Sequence, residues 1–506
     1  MIGGHYPSPS AAATCTKKPL GLQLPAAMAA SSAASLTCRA PDALPHIVIF
    51  PFMAKSHTIP LTDLAHLLRR RRLATVTFLT TPGNAPFVRA ALSGADGGVA
   101  VVELPFTGLQ APGVLPGVES VEALDSLSSL PAFVHAVSLL RPRFEAALAG
   151  MRPPASAVVA DAFLYWAHAA AAALGVRTFA FFGANMFAHI VREVCLRDNP
   201  AAELCDGAPD GVFTVPEFPH VQLALADIPF PFNDPATMTA AVREMDAKIG
   251  RAIADSHGFL VNTFDAMEGH YVEYWNRHVG PRAWPVGPLC LARPIPLPCD
   301  GVKPSWIEWL DEKAAIGRTV LYVALGTMIA VEDAQLKELA DGLGQSGLDF
   351  LWAVRPVDAD LGKGFEKRVH GRGKVVREWV DQRAILQHEC VKGFLSHSGW
   401  NSVLESISAG VPLAVWPMGA EQPLNVKLVV DELKIGMRVC REDGATGGLV
   451  ESKDITRVVR DLMIGEKSNE VSRNIASLAA KAREAVAEGG SSWVTMEDLI
   501  GEVASQ

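Results

Sequence analysis

No two of the eight cysteines in this 506-residue chain fall at C-x-x-C spacing. Cys15, Cys38, Cys195, Cys205, Cys290, Cys299, Cys390 and Cys440 are scattered singly, which argues against a structural zinc site or a disulfide framework and fits reduced cytoplasmic thiols. Long apolar runs are missing too. The longest charge-free apolar stretch past the N-terminus, Ala162–Val176, has 15 residues. A membrane-spanning helix needs roughly 20, so no integral membrane segment is expected. Positive charge is in deficit, with 45 Lys and Arg against 54 Asp and Glu and a net charge of −9. That balance, with no long basic run, argues against nucleic acid or an anionic membrane as partner. There is no N-x-Ser/Thr sequon, in keeping with a place outside the secretory pathway. A small-molecule partner is expected.

Hydrophobic residues make up 49% of the chain, so at this length two or more cores can be buried. Residues 1–45 are Ala/Ser/Pro-rich, with Lys17, Lys18 and Arg39 ahead of the first acid, Asp42. They are expected as a disordered leader, with only a faint likeness to a targeting segment and with Met28 as an alternative start. From His46 a strand (Ile47–Phe50), a Pro-containing turn, a helical pattern (Leu61–Leu73) and a second strand (Val76–Leu79) follow one another. The alternation recurs at Ala157–Val159, Tyr165–Leu174, Thr178–Phe182 and Gly258–Asn262. It restarts at Val320–Leu325, Asp333–Ala340, Phe350–Val354, Gly393–His397, a helix from Asn401, and Val411–Trp416. The expected division is an N-terminal acceptor-binding α/β domain at 46–285, a Pro-rich linker at 286–304, and a second α/β domain at 305–487. A C-terminal helix within 488–506 is expected to pack back on the first domain.

Three motifs lose to plainer readings. Gly342-Leu-Gly344-Gln-Ser-Gly347 fits G-x-G-x-x-G but follows a helical pattern and precedes a strand, the reverse of a dinucleotide turn, so a helix C-cap is expected. Asp358 and Asp360 lack a third ligand and read as a solvated loop. Arg69–Arg72 closes a helix, where cations complement the dipole. The segment Trp379–Gln422 is different. Gly393–His397 reads as a strand, Ser398-Gly399 as a tight turn, and Trp400-Asn401-Ser402 as the opening of a helix whose free N–H groups suit a diphosphate. His397 ends the strand beside that site, and Glu405 lies one turn inside the helix.

This segment resembles the signature box of the plant secondary-product UDP-glycosyltransferases through W-x-x-Q-x-x-I-L-x-H at 379–388, F-L-S-H-x-G-W-N-S-x-x-E at 394–405, G-V-P-L at 410–413 and E-Q at 421–422. The likeness extends to Phe50-Pro-Phe-Met-Ala-Lys-Ser-His57-Thr-Ile-Pro60, Asp161–Trp166, Val261–Phe264 and Tyr322–Thr327, covering residues 46–500. It implies an α/β fold of GT-B type, two facing Rossmann-like domains with an interdomain cleft. It also implies roles. Trp379 would stack on uracil, with Val380 and Gln382 at the base and ribose. Glu405 would hold the ribose hydroxyls, and Thr327, His397, Asn401 and Ser402 the diphosphate. Trp400, Glu421 and Gln422 would contact the sugar, Gln at the last position going with glucose. His57 would be the general base and Asp161 its carboxylate partner, a pairing that also makes chemical sense for deprotonating an alcohol or phenol.

Three residues depart from the family pattern. Ser56 replaces a usual Gly, so strain from a positive φ is expected. Asp381 replaces a usual Pro, so a looser loop beside uracil is expected. Ser398 replaces a usual Cys, without consequence if the turn's N–H faces the phosphates. The reading implied is a cytoplasmic, inverting enzyme that moves glucose from UDP-glucose to a hydroxyl of a flavonoid or other small phenolic, with no cofactor and no metal. Phe163, Phe182, Asn185 and Met186 are expected to line the acceptor pocket. Rival readings are an NAD(P)-dependent oxidoreductase resting on Gly342–Gly347, and a non-catalytic UDP-sugar- or phenolic-binding protein.

Overall fold

Strands with apolar residues on both faces need cover on both faces, and the chain supplies it with alternating helices. The computed structural model describes residues 44–505 other than 95–97, 107–112, 207–210, 234–237, 294–302, 327–330, 356–358 and 442–447. The expected leader therefore lies outside the described residues, as does half of the expected linker. The strands of the first half are β1 (His46–Phe50), β2 (Thr75–Thr80), β3 (Ala100–Glu103), β4 (Ala157–Asp161) and β5 (Arg177–Phe182). There follow a small antiparallel hairpin, β6 (Phe213–Thr214) and β7 (Gln222–Leu223), then β8 (Gly258–Val261) and β9 (Ala283–Pro285). All but the hairpin form one parallel sheet in the order β3-β2-β1-β4-β5-β8-β9. The second half builds another parallel sheet from β10 (Val320–Ala324), β11 (Asp349–Ala353), β12 (Gly373–Val376), β13 (Val391–Ser396), β14 (Leu413–Val415) and β15 (Gly436–Arg438), in the order β12-β11-β10-β13-β14-β15. Every pairing in both sheets is parallel, as the alternation implied, and both are Rossmann-like, as the resemblance implied.

A continuous apolar core joins the halves: Phe187, Tyr271 and Trp275 of the first belong to the same buried cluster as Trp400, Leu404 and Leu424 of the second. The helix Ser491–Ala504 packs beside β9 and buries Met496, Leu499, Ile500 and Val503 in the core containing Ile47, Val76 and Trp284. That contact corrects, at Arg71, the reading of Arg69–Arg72 as a solvated helix end, while Arg70 and Arg72 are exposed as expected. The Arg71 side chain is only 5% exposed, pairs with Glu497 at 2.8 Å and stacks on Trp493 at 3.4 Å. Guanidinium planes favour such aromatic faces over water when a carboxylate is also within reach. The G-x-G-x-x-G sequence falls inside the helix Asp333–Ser346, with Gly347 as its left-handed cap at φ 74°. Asp360 pairs with Lys337 at 3.0 Å, and Asp358 lies outside the described residues.

The helix after β1 starts earlier than its periodicity suggested, at Lys55, so Pro60 lies inside it. Proline has no N–H to give the carbonyl four residues back, that of Ser56. Among the described residues no helix is long and apolar enough to cross a membrane. Leu499 holds the C-terminal helix to the first sheet, so Leu499→Ala should lower unfolding free energy by about 2–5 kcal/mol, read from urea denaturation. An unchanged midpoint would mean that the docking of this helix contributes nothing to global stability.

Candidate active site

In each sheet the strand order reverses at one point, and a crevice opens there beyond the carboxyl ends of the strands. In the first sheet that point lies between β1 and β4. The chain leaving β1 places His57 in the first turn of the helix Lys55–Arg70, and β4 ends at Asp161. His57 Nδ1 stands 2.7 Å from Asp161 Oδ2, while Oδ1 accepts the Phe163 N–H at 3.0 Å. The carboxylate accepts, so Nδ1 carries the proton and Nε2 keeps its lone pair. Burial lowers the basicity of this imidazole, but the charge and hydrogen bond of Asp161, with smaller help from Glu421 and Glu122, outweigh it. His57 therefore titrates above its ordinary 6.5. Phe163, Phe52 and Phe182 surround its ring edge-on at 5.4, 5.8 and 6.2 Å, giving the imidazole an apolar wall. Of the residues expected to line the acceptor pocket, Phe163 and Phe182 reach His57, whereas Asn185 and Met186 are fully buried. Asn185 instead caps its helix by accepting the Ala188 N–H at 2.7 Å.

In the second sheet the reversal lies between β10 and β13. β13 runs through His397, Ser398 and Gly399 into the helix Trp400–Ala409, which has no side-chain N-cap. Its first N–H groups, those of Trp400, Asn401 and Ser402, thus point out of the helix without a capping side chain. The His397 ring is wedged between two glycines. A Cβ at Gly399 would come within 2.5 Å of its Nε2, and one at Gly326 within 2.9 Å of the ring. Burial, partly offset by a backbone contact to Ala324, lowers the pKa of His397 to about 4, so it is neutral near pH 7. Its Nδ1 is buried with no hydrogen-bond partner among the described residues, which is expected of a polar atom that meets a ligand.

Behind the helix start, Gln382 donates to Ser402 Oγ at 2.9 Å and to Glu405 Oε2 at 2.7 Å, and its own carbonyl accepts Tyr322 OH at 3.3 Å. Burial, against the hydrogen bond from Gln382, raises the Glu405 carboxyl to about 7. Trp379 is 53% exposed, with Lys55 Nζ 4.7 Å over its ring and Phe87 at its edge, both from the first half. Val380 is buried beside it. Glu421 is held high by burial despite hydrogen bonds from its own backbone and Asn425, and its charge reaches His57 from across the cleft. Thr327 lies outside the described residues.

The two crevices are stitched together. Asn401 Nδ2 donates to the Ser56 carbonyl at 2.7 Å, next to His57 and at the carbonyl to which Pro60 cannot donate. Trp400 Nε1 donates to the Asn262 carbonyl at 2.8 Å. Asn185 donates to Asn425 Oδ1 at 2.9 Å, and Asn425 in turn donates to the Ser398 carbonyl and to Glu421.

Several sequence expectations change. Ser56 is helical, not at positive φ, so no strain arises there. Asp381 tightens its loop by accepting the N–H groups of Arg383 and Ala384 at 3.0 and 3.2 Å, as an N-cap that Pro could not provide. Ser398 is the left-handed residue, at φ 66°, and its N–H goes to Ser396 Oγ at 3.0 Å rather than toward a phosphate. The Trp400 indole is taken up by Asn262, leaving its main chain for the cleft. Gln422 Oε1 accepts the N–H groups of Met418 and Gly419 at 2.8 and 3.1 Å, leaving only its NH₂ for a ligand. Sequence reasoning missed Lys55, Glu122, whose carboxylate accepts the Lys55 N–H at 2.6 Å, and Asn425. Of these only Asn425 carried a signal, four residues beyond Glu421 and hence on the same helix face.

A family model described as UDP-glucoronosyl and UDP-glucosyl transferase matches residues 293–450. The UDP-glycosyltransferase 90A1 of Arabidopsis thaliana is 41% identical over 467 residues, 90% of this chain and 96% of the relative. The UDP-glucose flavonoid 3-O-glucosyltransferase 7 of Fragaria ananassa is 34% identical, covering 90% of this chain and 96% of the relative. Among solved structures, Glycyrrhiza uralensis UGT73P12, complexed with glycyrrhetinic acid 3-O-monoglucuronide, is 30% identical with a TM-score of 0.79, over 91% of this chain and 96% of that one. Phytolacca americana UGT2, complexed with UDP-2fluoro-glucose and pterostilbene, is 27% identical with a TM-score of 0.73, over 91% and 99%. With the two crevices and their carboxylate–imidazole pair in place, this kinship is decisive: the chain belongs to the plant secondary-product UDP-glycosyltransferases and is a glycosyltransferase of the GT-B type.

Proposed function

We propose that the chain transfers glucose from UDP-glucose to a hydroxyl of a flavonoid or similar small phenolic, with inversion and without a metal ion. The observation that carries this reading is the His57–Asp161 pair facing, across the cleft, the uncapped helix start at Trp400. In it, His57 Nε2 takes the proton of the acceptor hydroxyl as its oxygen attacks the anomeric carbon. The bond from that carbon to the diphosphate breaks on the opposite face, and UDP leaves with the electron pair. Asp161 keeps the imidazole in the tautomer that can accept, and stabilises the imidazolium that forms.

The N–H groups opening the helix, Ser402 and neutral His397 donate to the leaving diphosphate, and preorganised donors in a water-poor cleft serve the growing charge without a cation. Trp379 offers its exposed ring to uracil, Gln382 and Glu405 meet the ribose, and Glu421 with the Gln422 NH₂ supplies one acceptor and one donor to neighbouring sugar hydroxyls. Glucose as the sugar is supported by relatives named for glucosyl transfer to flavonoids and anthocyanins, and by the fluoro-glucose donor and phenolic pterostilbene bound in the Phytolacca structure.

His57→Ala should cost roughly 10²–10⁴ in turnover with little change in UDP affinity; turnover at the level of the unmodified enzyme removes His57 from the mechanism. In Asp161→Asn the largest of the forces that raise the imidazole's pKa is gone, with burial still opposing the smaller ones from Glu421 and Glu122, so His57 should titrate lower than in the unmodified chain. Because the base acts when unprotonated, the acid limb of kcat/KM should then move to lower pH while the plateau falls. An NMR titration of His57 shifting upward instead would contradict this electrostatic account. EDTA should leave turnover intact, and abolition restored by Mg²⁺ would end the metal-free scheme. For donors, the axial O4 of galactose breaks one hydrogen bond in a dry site, so UDP-glucose should lead UDP-galactose by roughly 5- to 100-fold in kcat/KM. Gln422→His should narrow that gap, and equal values in the unmodified enzyme would refute the sugar assignment alone.

A further inference from the structure

Away from the site just described, His220, His270 and Glu432 converge so that one ligating atom of each lies within 4.8 Å of the others. The three come from separate places in the chain. His220 sits in the turn between β6 and β7, His270 on the helix Asp265–His278, and Glu432 ends the helical turn Leu428–Glu432 in the second half. Their surroundings hold them in place. Tyr271, fully buried, directs its hydroxyl at both Glu432 oxygens, 2.7 and 2.9 Å away, and so fixes the carboxylate from behind. The His270 ring lies 3.9 Å from the Tyr271 ring, and Phe218 packs edge-on against both imidazoles at 6.2 and 6.1 Å.

We propose that His220, His270 and Glu432 bind one divalent first-row transition ion of the zinc type and thereby clip the second half of the molecule to the first. Two imidazoles and one carboxylate suit Zn²⁺, Co²⁺ or Ni²⁺, and a water completes a tetrahedron; Mg²⁺ asks for more oxygen ligands. Around such an ion, bonds of about 2.0–2.2 Å put neighbouring donor atoms roughly 3.5 Å apart, which two exposed imidazoles reach by small rotations. The buried hydroxyl behind Glu432 is the outer partner that ligating carboxylates usually have. The ion plays no part in glycosyl transfer. It ties Glu432 to the two histidines across the boundary between the halves, and so opposes their separation.

The experiment is a Co²⁺ titration of the metal-free full chain, read by visible ligand-field absorption, with Zn²⁺ and Mg²⁺ as competitors. One Co²⁺ per chain in tetrahedral coordination, displaced by Zn²⁺ and not by Mg²⁺, is expected. His220→Ala, His270→Ala and Glu432→Gln should each weaken binding at least about tenfold, and Tyr271→Phe should weaken it less. The histidines are exposed, so their variants should fold normally. Zn²⁺ should raise the melting temperature of the unmodified chain, and raise that of Glu432→Gln less. No Co²⁺ band at millimolar ion, or an affinity in the two histidine variants equal to that of the unmodified chain, overturns the site. A loss in the histidine variants with none in Glu432→Gln overturns the bridge between halves.

Discussion

The carboxyl edges of the two sheets are held against each other by backbone carbonyls of the first half that accept side-chain N–H groups of the second. Asn401 reaches the Ser56 carbonyl and Trp400 the Asn262 carbonyl, each from the opening turn of one helix. The acceptors are main-chain atoms, so these bonds tie the backbone next to His57 to the helix start at Trp400. Leaving such a carbonyl buried without a donor costs about 1–3 kcal/mol, which is what opposes their drifting apart. Pro60 contributes through what it lacks, since the carbonyl it cannot serve within the helix is the one Asn401 uses.

Water exclusion then decides the charges. Glu405 is lifted to about 7 and His397 depressed to about 4, both chiefly by burial. The donor-binding wall therefore carries less charge at neutral pH than its residue types suggest. His397 is neutral there, and the dipole of the helix opening at Trp400 is left as the main electrostatic feature of that wall. On the opposite wall His57 moves the other way, because Asp161 is close enough for its charge and hydrogen bond to outweigh the same burial. Burial lowers one imidazole, and burial outweighed by Asp161, with Glu421 and Glu122 helping, raises the other.

Much of this was legible in the residues. The strand, turn and helix across Gly393–Ser402 follow from apolar runs and the Ser-Gly turn, and both crevices follow from parallel alternation. His57 and Asp161 sit where a sheet crevice demands. What escaped has two causes. The Gln422 side chain and the Ser398 N–H were taken as facing a ligand, yet the Gln422 oxygen and that N–H pair with neighbours two to four residues away, at Met418, Gly419 and Ser396. Trp400 was assigned to the sugar, but its ring meets the Asn262 carbonyl, 138 residues away. Arg71 was misread for the same reason, since Trp493 and Glu497 lie more than 400 residues away. Ser56 and Asp381 were misjudged because the family's Gly and Pro were taken as requirements of the backbone. The chain meets the first position with helical φ, and the second with a carboxylate that caps the helix itself.

The chain crosses between the halves twice, leaving the first after β9 and returning in the helix Ser491–Ala504. These crossings are not independent tethers, because Ser492 Oγ on the returning chain donates to the Gly287 carbonyl on the outgoing one at 2.6 Å. Joined side by side, the two crossings restrain the same corner of the molecule: they cannot part without breaking this bond, which would leave the buried Ser492 hydroxyl without its acceptor.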